Sequence, residues 1–430
     1  MRYALKNFYL LDGTETMEPV SGMAVMIEDG IITDILPEED ADFRGYKAIN
    51  LTGAYLLPGL INLHAHLALP GSAPKSDRKI NYSMLFELLK RLKPLKDYFR
   101  KMNENNAYTE LMSGVTTLRT VGGILDFDGR IRDAINEGKL VGPRILCANT
   151  AVSVPGGHFA GSIATEASSP EEAAEHVRRI AATNPDLIKL MITGGVMDAS
   201  ASGEPGVLRM SKEIVKAACE EAHRLGYKAA AHVESQEGLI VALENGVDTI
   251  EHGAEPSEEA IRLFQERGAV DICTISPVVP YVEFELSESR SSAIAKENAE
   301  IVGNGIVSCA RTCLDNGIPV GLGNDTGCSF ITHYNFWREL YYFHKRVGVS
   351  NAFALYTATL GNARIAGVDD ITGSIEKGKS ADLLIVRENP LEDLRALRKP
   401  ELVFMHGEMH RSPAIRRFKD VDALLDKYMD

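Results

Sequence analysis

Apolar positions along this chain follow two textures. Residues 1–56 carry short alternating segments, ALKNFYLL, GMAVMIEDG, IITDILP and YKAINLTG, broken by Gly, Pro and Asp, which is the pattern of short antiparallel strands. The stretch 371–412 has the same texture in GSIEKGKSADLLIVRENP and ELVFMHGEMH, so the two ends are expected to pair into one small β-sandwich domain. Between them, over 57–370, eight continuous apolar runs alternate with helical patterns: LLPGLINLH, GVTTLRT, PRILCAN, LIKLMITGG, YKAAAHV, GVDTIEH, VDICTIS and IPVGLGND. Runs that are apolar throughout mark strands buried on both faces, and helices such as EIVKAACEEAHRLG between them are what a closed parallel barrel requires. The expected fold is therefore α/β, a (β/α)8 TIM barrel joined to the small β-sandwich domain, with a helical tail over 413–430. A doubly wound open sheet shares this periodicity, and the two differ in where polar residues fall.

Composition adds mainly exclusions. The 430 residues, 45% apolar and 25% charged, suit one large barrel and a satellite domain. A formal charge of −14 without any cluster of Lys and Arg speaks against a nucleic-acid partner. The opening MRYALKNFYLLDGTE lacks a signal-like apolar core, and no stretch reaches the roughly 18 apolar residues of a membrane span, so a cytoplasmic location and no membrane partner are expected. The six cysteines show neither disulfide-scaffold spacing nor CxxC pairs; Cys309 and Cys313, four apart on a helical pattern, read as a buried helix face. Two mixed-charge helical stretches, LFELLKRLKPLKDYFRK and HYNFWRELYYFHKR, read as packing on the exterior or the mouth of the barrel.

Polar, metal-competent side chains end five of the eight runs: His64 and His66, Lys189, His232, His252, and Asp325. Barrel enzymes converge their active sites at the C-terminal strand ends, whereas an open sheet would scatter such residues. His64 and His66 share one side of a strand by its period of two, and either hold a metal together or are hydrogen-bonded core histidines. Lys189 lies within LIKLMITGG, where an ammonium is costly to bury. Either it pairs with a carboxylate or snorkels outward, or its amine has taken up CO2 as a carbamate, an anion able to bridge two cations. His232 and His252 add two nitrogens suited to zinc, and Asp325, in GLGNDTG, can both ligate a metal and accept a proton.

Taken together, LLPGLINLHAHL, IKLMITGG, AAHV, TIEHG and GLGNDTG resemble the successive strand-end motifs of the amidohydrolase superfamily, over essentially the whole chain. The lysine followed by TGG is similar to the binuclear prolidase-like and imidazolonepropionase-like branch, especially its Xaa-Pro dipeptidases. The resemblance implies that His64, His66 and Asp325 hold one divalent metal ion and His232 and His252 a second, with a CO2-derived carbamate on Lys189 and a hydroxide bridging them. Zinc suits this donor set best. His158, in VPGGHFAG, resembles the GGH loop of prolidase-like proteins, which implies contact with the substrate carbonyl; a solvent-exposed loop histidine is the other reading. Glu234, two residues beyond His232, departs from that group, which commonly carries tyrosine or histidine there to hold a substrate carboxylate. Inside the pocket Glu234 would repel one and favour a cationic or hydrogen-bond-donating group.

The implied activity is hydrolysis of a C–N amide bond in a small substrate, a dipeptide or related amide, with Asp325 as general base. The alternatives are a hydrolytic deaminase or cyclic amidase acting on a heterocycle, and, from another class, a non-catalytic scaffold of the same fold. A small-molecule substrate is the expected partner, and association into a homo-oligomer is left open.

Overall fold

The computed structural model describes residues 1–74, 82–411 and 413–429; the expected limit at 412 and the last residue of the tail, 430, lie outside these. The four N-terminal segments form β1 (Arg2–Leu10), β2 (Met23–Glu28), β3 (Ile31–Pro37) and β4 (Lys47–Pro58). Next come β5 (Leu60–Ala65), β6 (Val115–Thr120), β7 (Arg144–Cys147), β8 (Ala151–Ser153), β9 (Ala164–Glu166), β10 (Leu187–Met191), β11 (Lys228–Val233), β12 (Thr249–His252), β13 (Val270–Cys273) and β14 (Val320–Leu322). The chain returns to the first domain with β15 (Leu383–Val386), β16 (Leu402–Met405) and β17 (Glu408–Arg411).

Each of the eight apolar runs contains a strand, and these strands form a parallel barrel. β5, β6 and β7 pair in sequence, and β10 through β14 pair in sequence. The two arcs meet where the third barrel strand breaks at Asn149, whose φ is +56°: β8 continues beyond the break and pairs with β10, Val152 opposite Leu190. They meet again where β14 closes on β5, the Asp325 amide donating to the His64 carbonyl and the His66 amide to the Thr326 carbonyl, each at 2.9 Å. Only glycine allows that approach at position 323, because a Cβ there would lie 2.3 Å from the Cβ of His64. Around the barrel, six helices begin on a serine whose hydroxyl accepts an amide of the first turn: Ser169, Ser211, Ser235, Ser257, Ser292 and Ser350.

The two chain ends build one β domain. Its layers belong to a continuous mixed sheet in the order β17-β16-β15-β4-β1-β2-β3, curled so that Tyr3 and Phe404 meet edge to face at 5.6 Å across an apolar core. In the tail, the helix Lys419–Asp426 packs Val421 and Leu425 against Phe284 and Phe330, while Asp426 pairs with Arg338 and Arg398. It covers the segment Phe336–Tyr342, every residue of which is buried. Cys309 and Cys313 lie buried on the helix Ala293–Asp315. Among the described residues, no helix is long and apolar enough to cross a membrane.

A buried ion pair ties the β domain to the barrel. Arg144 of β7 donates to Asp382, 2.7 Å away, and that fully buried carboxylate also accepts from Ser380 and the His406 amide. Burial favours the neutral acid, yet Arg144 and His406 hold Asp382 below its ordinary value. Its contribution is therefore complete above the ordinary carboxylate range and is lost as pH falls through the depressed folded value. Arg144→Met should cost about 3 kcal/mol or more in urea denaturation at neutral pH, because it strands a buried charge. The gap to wild type should narrow on acidification; equal stabilities at neutral pH would remove this pair as the tie.

Candidate metal centre

Every candidate residue read from the sequence arrives at one end of the barrel. Asp325 Oδ1 lies 3.4 Å from His64 Nε2 and 3.2 Å from His66 Nε2. His232, Glu234 and His252 each offer one ligand atom within 4.8 Å of the others, and so do His64, His66 and Asp325. The clusters adjoin: the His252 ring centroid is 4.7 Å from that of His64 and 4.6 Å from that of His232. His158 stacks on His232 at 4.2 Å with the rings 15° from parallel.

Backbone geometry explains how neighbours reach the same point. Glu251 and His252 are consecutive in β12 and would point to opposite faces of a regular strand. His252 instead has φ +75°, so both side chains come to His64, one by hydrogen bond and one by ring contact. Asp325 has φ +55°. Left-handed backbone at a non-glycine residue costs of the order of 1–3 kcal/mol and persists only where the surroundings enforce it.

The first cluster has the electronic character of a cation site. His64 Nδ1 meets the Glu251 carboxylate at 2.8 Å, and His66 Nδ1 meets the Gly122 carbonyl at 2.8 Å. Both partners only accept, so each Nδ1 carries a proton. Burial and the charge of Lys189 push His64 down to about 4, which leaves its Nε2 a bare lone pair at neutral pH. That lone pair faces a carboxylate oxygen, and Asp325 Oδ1 is buried with no hydrogen-bond partner. Two electron-rich atoms held this way repel unless a positive ion lies between them, so the residues present fit a divalent cation.

Lys189 connects the clusters electrostatically. It is 1% exposed, its Nζ has no hydrogen-bond partner, and its charge acts on His64, His232, His252 and Asp325. Of its two readings, the carboxylate ion pair is not formed among the described residues. Burial pushes its ammonium down to about 8, which makes the free amine accessible near neutrality. Glu234 is pushed up to about 8 by burial and by the charges of Asp325 and Asp198.

Several supporting residues carry no motif that sequence reading detects. Arg119 of β6 pairs with Glu251 at 2.7 Å and donates to the Leu63 carbonyl, Thr249 hydrogen-bonds the same carboxylate, and Thr274 sits 2.6 Å from His252 Nδ1. Burial favours the neutral acid, yet Arg119 and His64 hold Glu251 below the usual carboxylate range. Asp198, 40 residues from His158 in sequence, meets its Nδ1 at 2.5 Å. Arg119 and Glu251 do leave one trace, a charge inside an apolar strand run; Asp198 and Thr274 leave none.

Fold and site together define a hydrolase-type barrel with a histidine–aspartate cluster at its mouth, and the chain belongs to the amidohydrolase family, whose profile matches residues 55–409. It is 36% identical, with a TM-score of 0.87, to a solved structure from Bifidobacterium longum provisionally assigned as a prolidase, covering 99% of this chain and 98% of that one. A solved Xaa-Pro dipeptidase with methionine bound in its active site is 28% identical, with a TM-score of 0.83 and coverage of 96% and 100%. The ochratoxinase of Aspergillus niger is 25% identical over 431 residues, 93% of this chain and 85% of its own. The resemblance to prolidase-like amidohydrolases read from the strand-end motifs is thus borne out.

Glu251→Gln should leave Arg119 uncompensated in the barrel lumen and lower stability by about 3–5 kcal/mol in urea denaturation. With His64 no longer oriented by a carboxylate, zinc affinity should fall about 10–100-fold in chelator competition. Unchanged affinity would show that Glu251 serves packing alone.

Proposed function

We propose that the protein is a binuclear metal-dependent amidohydrolase that cleaves the C–N bond of a small amide, with a dipeptide as the reference substrate. The observation that carries the reading is Lys189, a lysine buried without a hydrogen-bond partner beside two ligand clusters. As a carbamate it becomes an anion with two oxygens, matched to two cations. His64, His66 and Asp325 would hold one ion, His232 and His252 the other. Divalent ions there, zinc foremost, supply Lewis acidity: they polarise a carbonyl and bring the pKa of water from about 15.7 to about 7.

The chain's own groups do the rest. Asp325 accepts the proton released as the nucleophile adds to the carbonyl carbon, then returns it to the nitrogen as the C–N bond breaks, giving an acid and an amine. Glu251 keeps His64 in the tautomer that presents Nε2. His158 Nδ1 meets the Asp198 carboxylate, so His158 offers an Nε2–H to the substrate carbonyl in its doubly protonated form, whose charge Asp198 offsets. The relatives support amide substrates of this size. A cyclic amide or heterocycle is the second reading, favoured by Glu234, whose buried carboxyl beside His232 is a poor neighbour for a free substrate carboxylate.

Elemental analysis should find two divalent ions per chain; one ion would favour a mononuclear deaminase and none a scaffold. Lys189→Met should abolish turnover of dipeptides, N-acyl amino acids and cyclic amides and reduce metal occupancy, and full activity in that variant would exclude the bridge. Asp325→Asn, assayed with both ions loaded at saturating metal, should lower turnover about 10²–10⁴-fold; near-native turnover would mean that another group moves the proton.

A further inference from the structure

We infer that Glu234 is a direct ligand of the second cation, which turns that position from a two-histidine site into a set of two histidines and one carboxylate. The inference rests on the binuclear reading above and adds a residue to it. His232 and Glu234 stand two apart at the end of β11, the same spacing as His64 and His66 at the end of β5, and a strand's period of two puts both members of each pair on one side. The donor atoms of His232, Glu234 and His252 lie within 4.8 Å of one another, the compactness also found for His64, His66 and Asp325. Glu234 Oε1 is 4.0 Å from His232 Nε2, and the side chain is 10% exposed. Its Oε2 is buried with no hydrogen-bond partner. Oε1 thus stands beside His232 as Asp325 Oδ1 stands beside His64 and His66, and the second oxygen of the same carboxylate is buried without a partner.

Charge points the same way. Two divalent ions bring four positive charges into the site. Glu251 cannot offset them, because its charge is matched by Arg119 at 2.7 Å. Asp325 supplies one negative charge and a carboxylated Lys189 a second; Glu234 supplies a third, next to the ion that otherwise has only neutral imidazoles of its own. Two histidines with one carboxylate leave coordination positions open for substrate and suit zinc, manganese and iron alike.

The test reads affinity, independent of turnover. The full chain, stripped with a chelator and reloaded in bicarbonate, is titrated with zinc against a chromophoric competitor, as wild type, Glu234→Gln and Glu234→His. Wild type should take two ions. Glu234→Gln, nearly isosteric, should keep one affinity and weaken the other by at least about 100-fold, the upper range seen for losing even an outer-sphere partner. Glu234→His replaces one ligand by another and should recover the second ion, a rescue that a purely structural or substrate-repelling role does not give. Two ions at wild-type affinities in Glu234→Gln would overturn the inference alone, and so would failure of Glu234→His to recover the second ion when the melting profile of its metal-free form matches wild type. Fewer than two ions on wild type would overturn the binuclear reading and this ligand with it.

Discussion

A charged carboxylate in the lumen of a parallel barrel is tolerable only if compensated on every side, and the arrangement around Glu251 meets that demand. One oxygen takes Arg119 and Thr249, the other takes His64 Nδ1. Removing Arg119 would strand a charge in a medium that solvates it poorly, and removing His64 or Thr249 would leave a carboxylate oxygen short of a donor. Because the set is closed, it fixes the rotamer and tautomer of His64, and through the hydrogen bonds of the barrel seam it also fixes where Asp325 stands. The ligand atoms at the mouth are thus positioned from below, by a buried polar chain.

Strain and compensation are distributed unevenly over the same site. His252 and Asp325 both adopt left-handed backbone, an arrangement that a β-branched residue would resist and that leaves each side chain aimed inward. Contacts on neighbouring strands offset the cost: Thr274 on one ring nitrogen of His252, and the amide of Asp325 on the carbonyl of His64. Loops carry the remaining members. His158 and Asp198 come from different connections and hold each other in place.

The barrel is legible in the sequence because a strand must be buried on both faces to be apolar at every position, and all eight such runs contain strands. That the candidate residues converge is legible because strand ends in a barrel share one axis. Lys189 stands out through its desolvation cost; Arg119 in VTTLRT and Glu251 in TIEH carry the same mark, but in the second case the adjacent histidine dominates the motif. Asp198 and Thr274 are out of reach, since each depends on a contact set by loop geometry. Glu234 stands in the sequence as a departure that bears on the substrate's charge, whereas the fold groups it with His232 and His252. The curl that makes two layers from one continuous sheet leaves no local sequence trace, because register between chain ends is decided by partners more than three hundred residues apart, as Leu57 and Leu384 are.

That last separation bears on biosynthesis. β4 pairs with β1 on one side but needs β15 on the other, so that outer edge waits until more than three hundred further residues have left the ribosome. Until then β4 offers an unpaired, largely apolar edge to anything nearby, the condition in which nascent chains aggregate or recruit chaperones. All the barrel strands precede β15, so the barrel can close while this edge is still open.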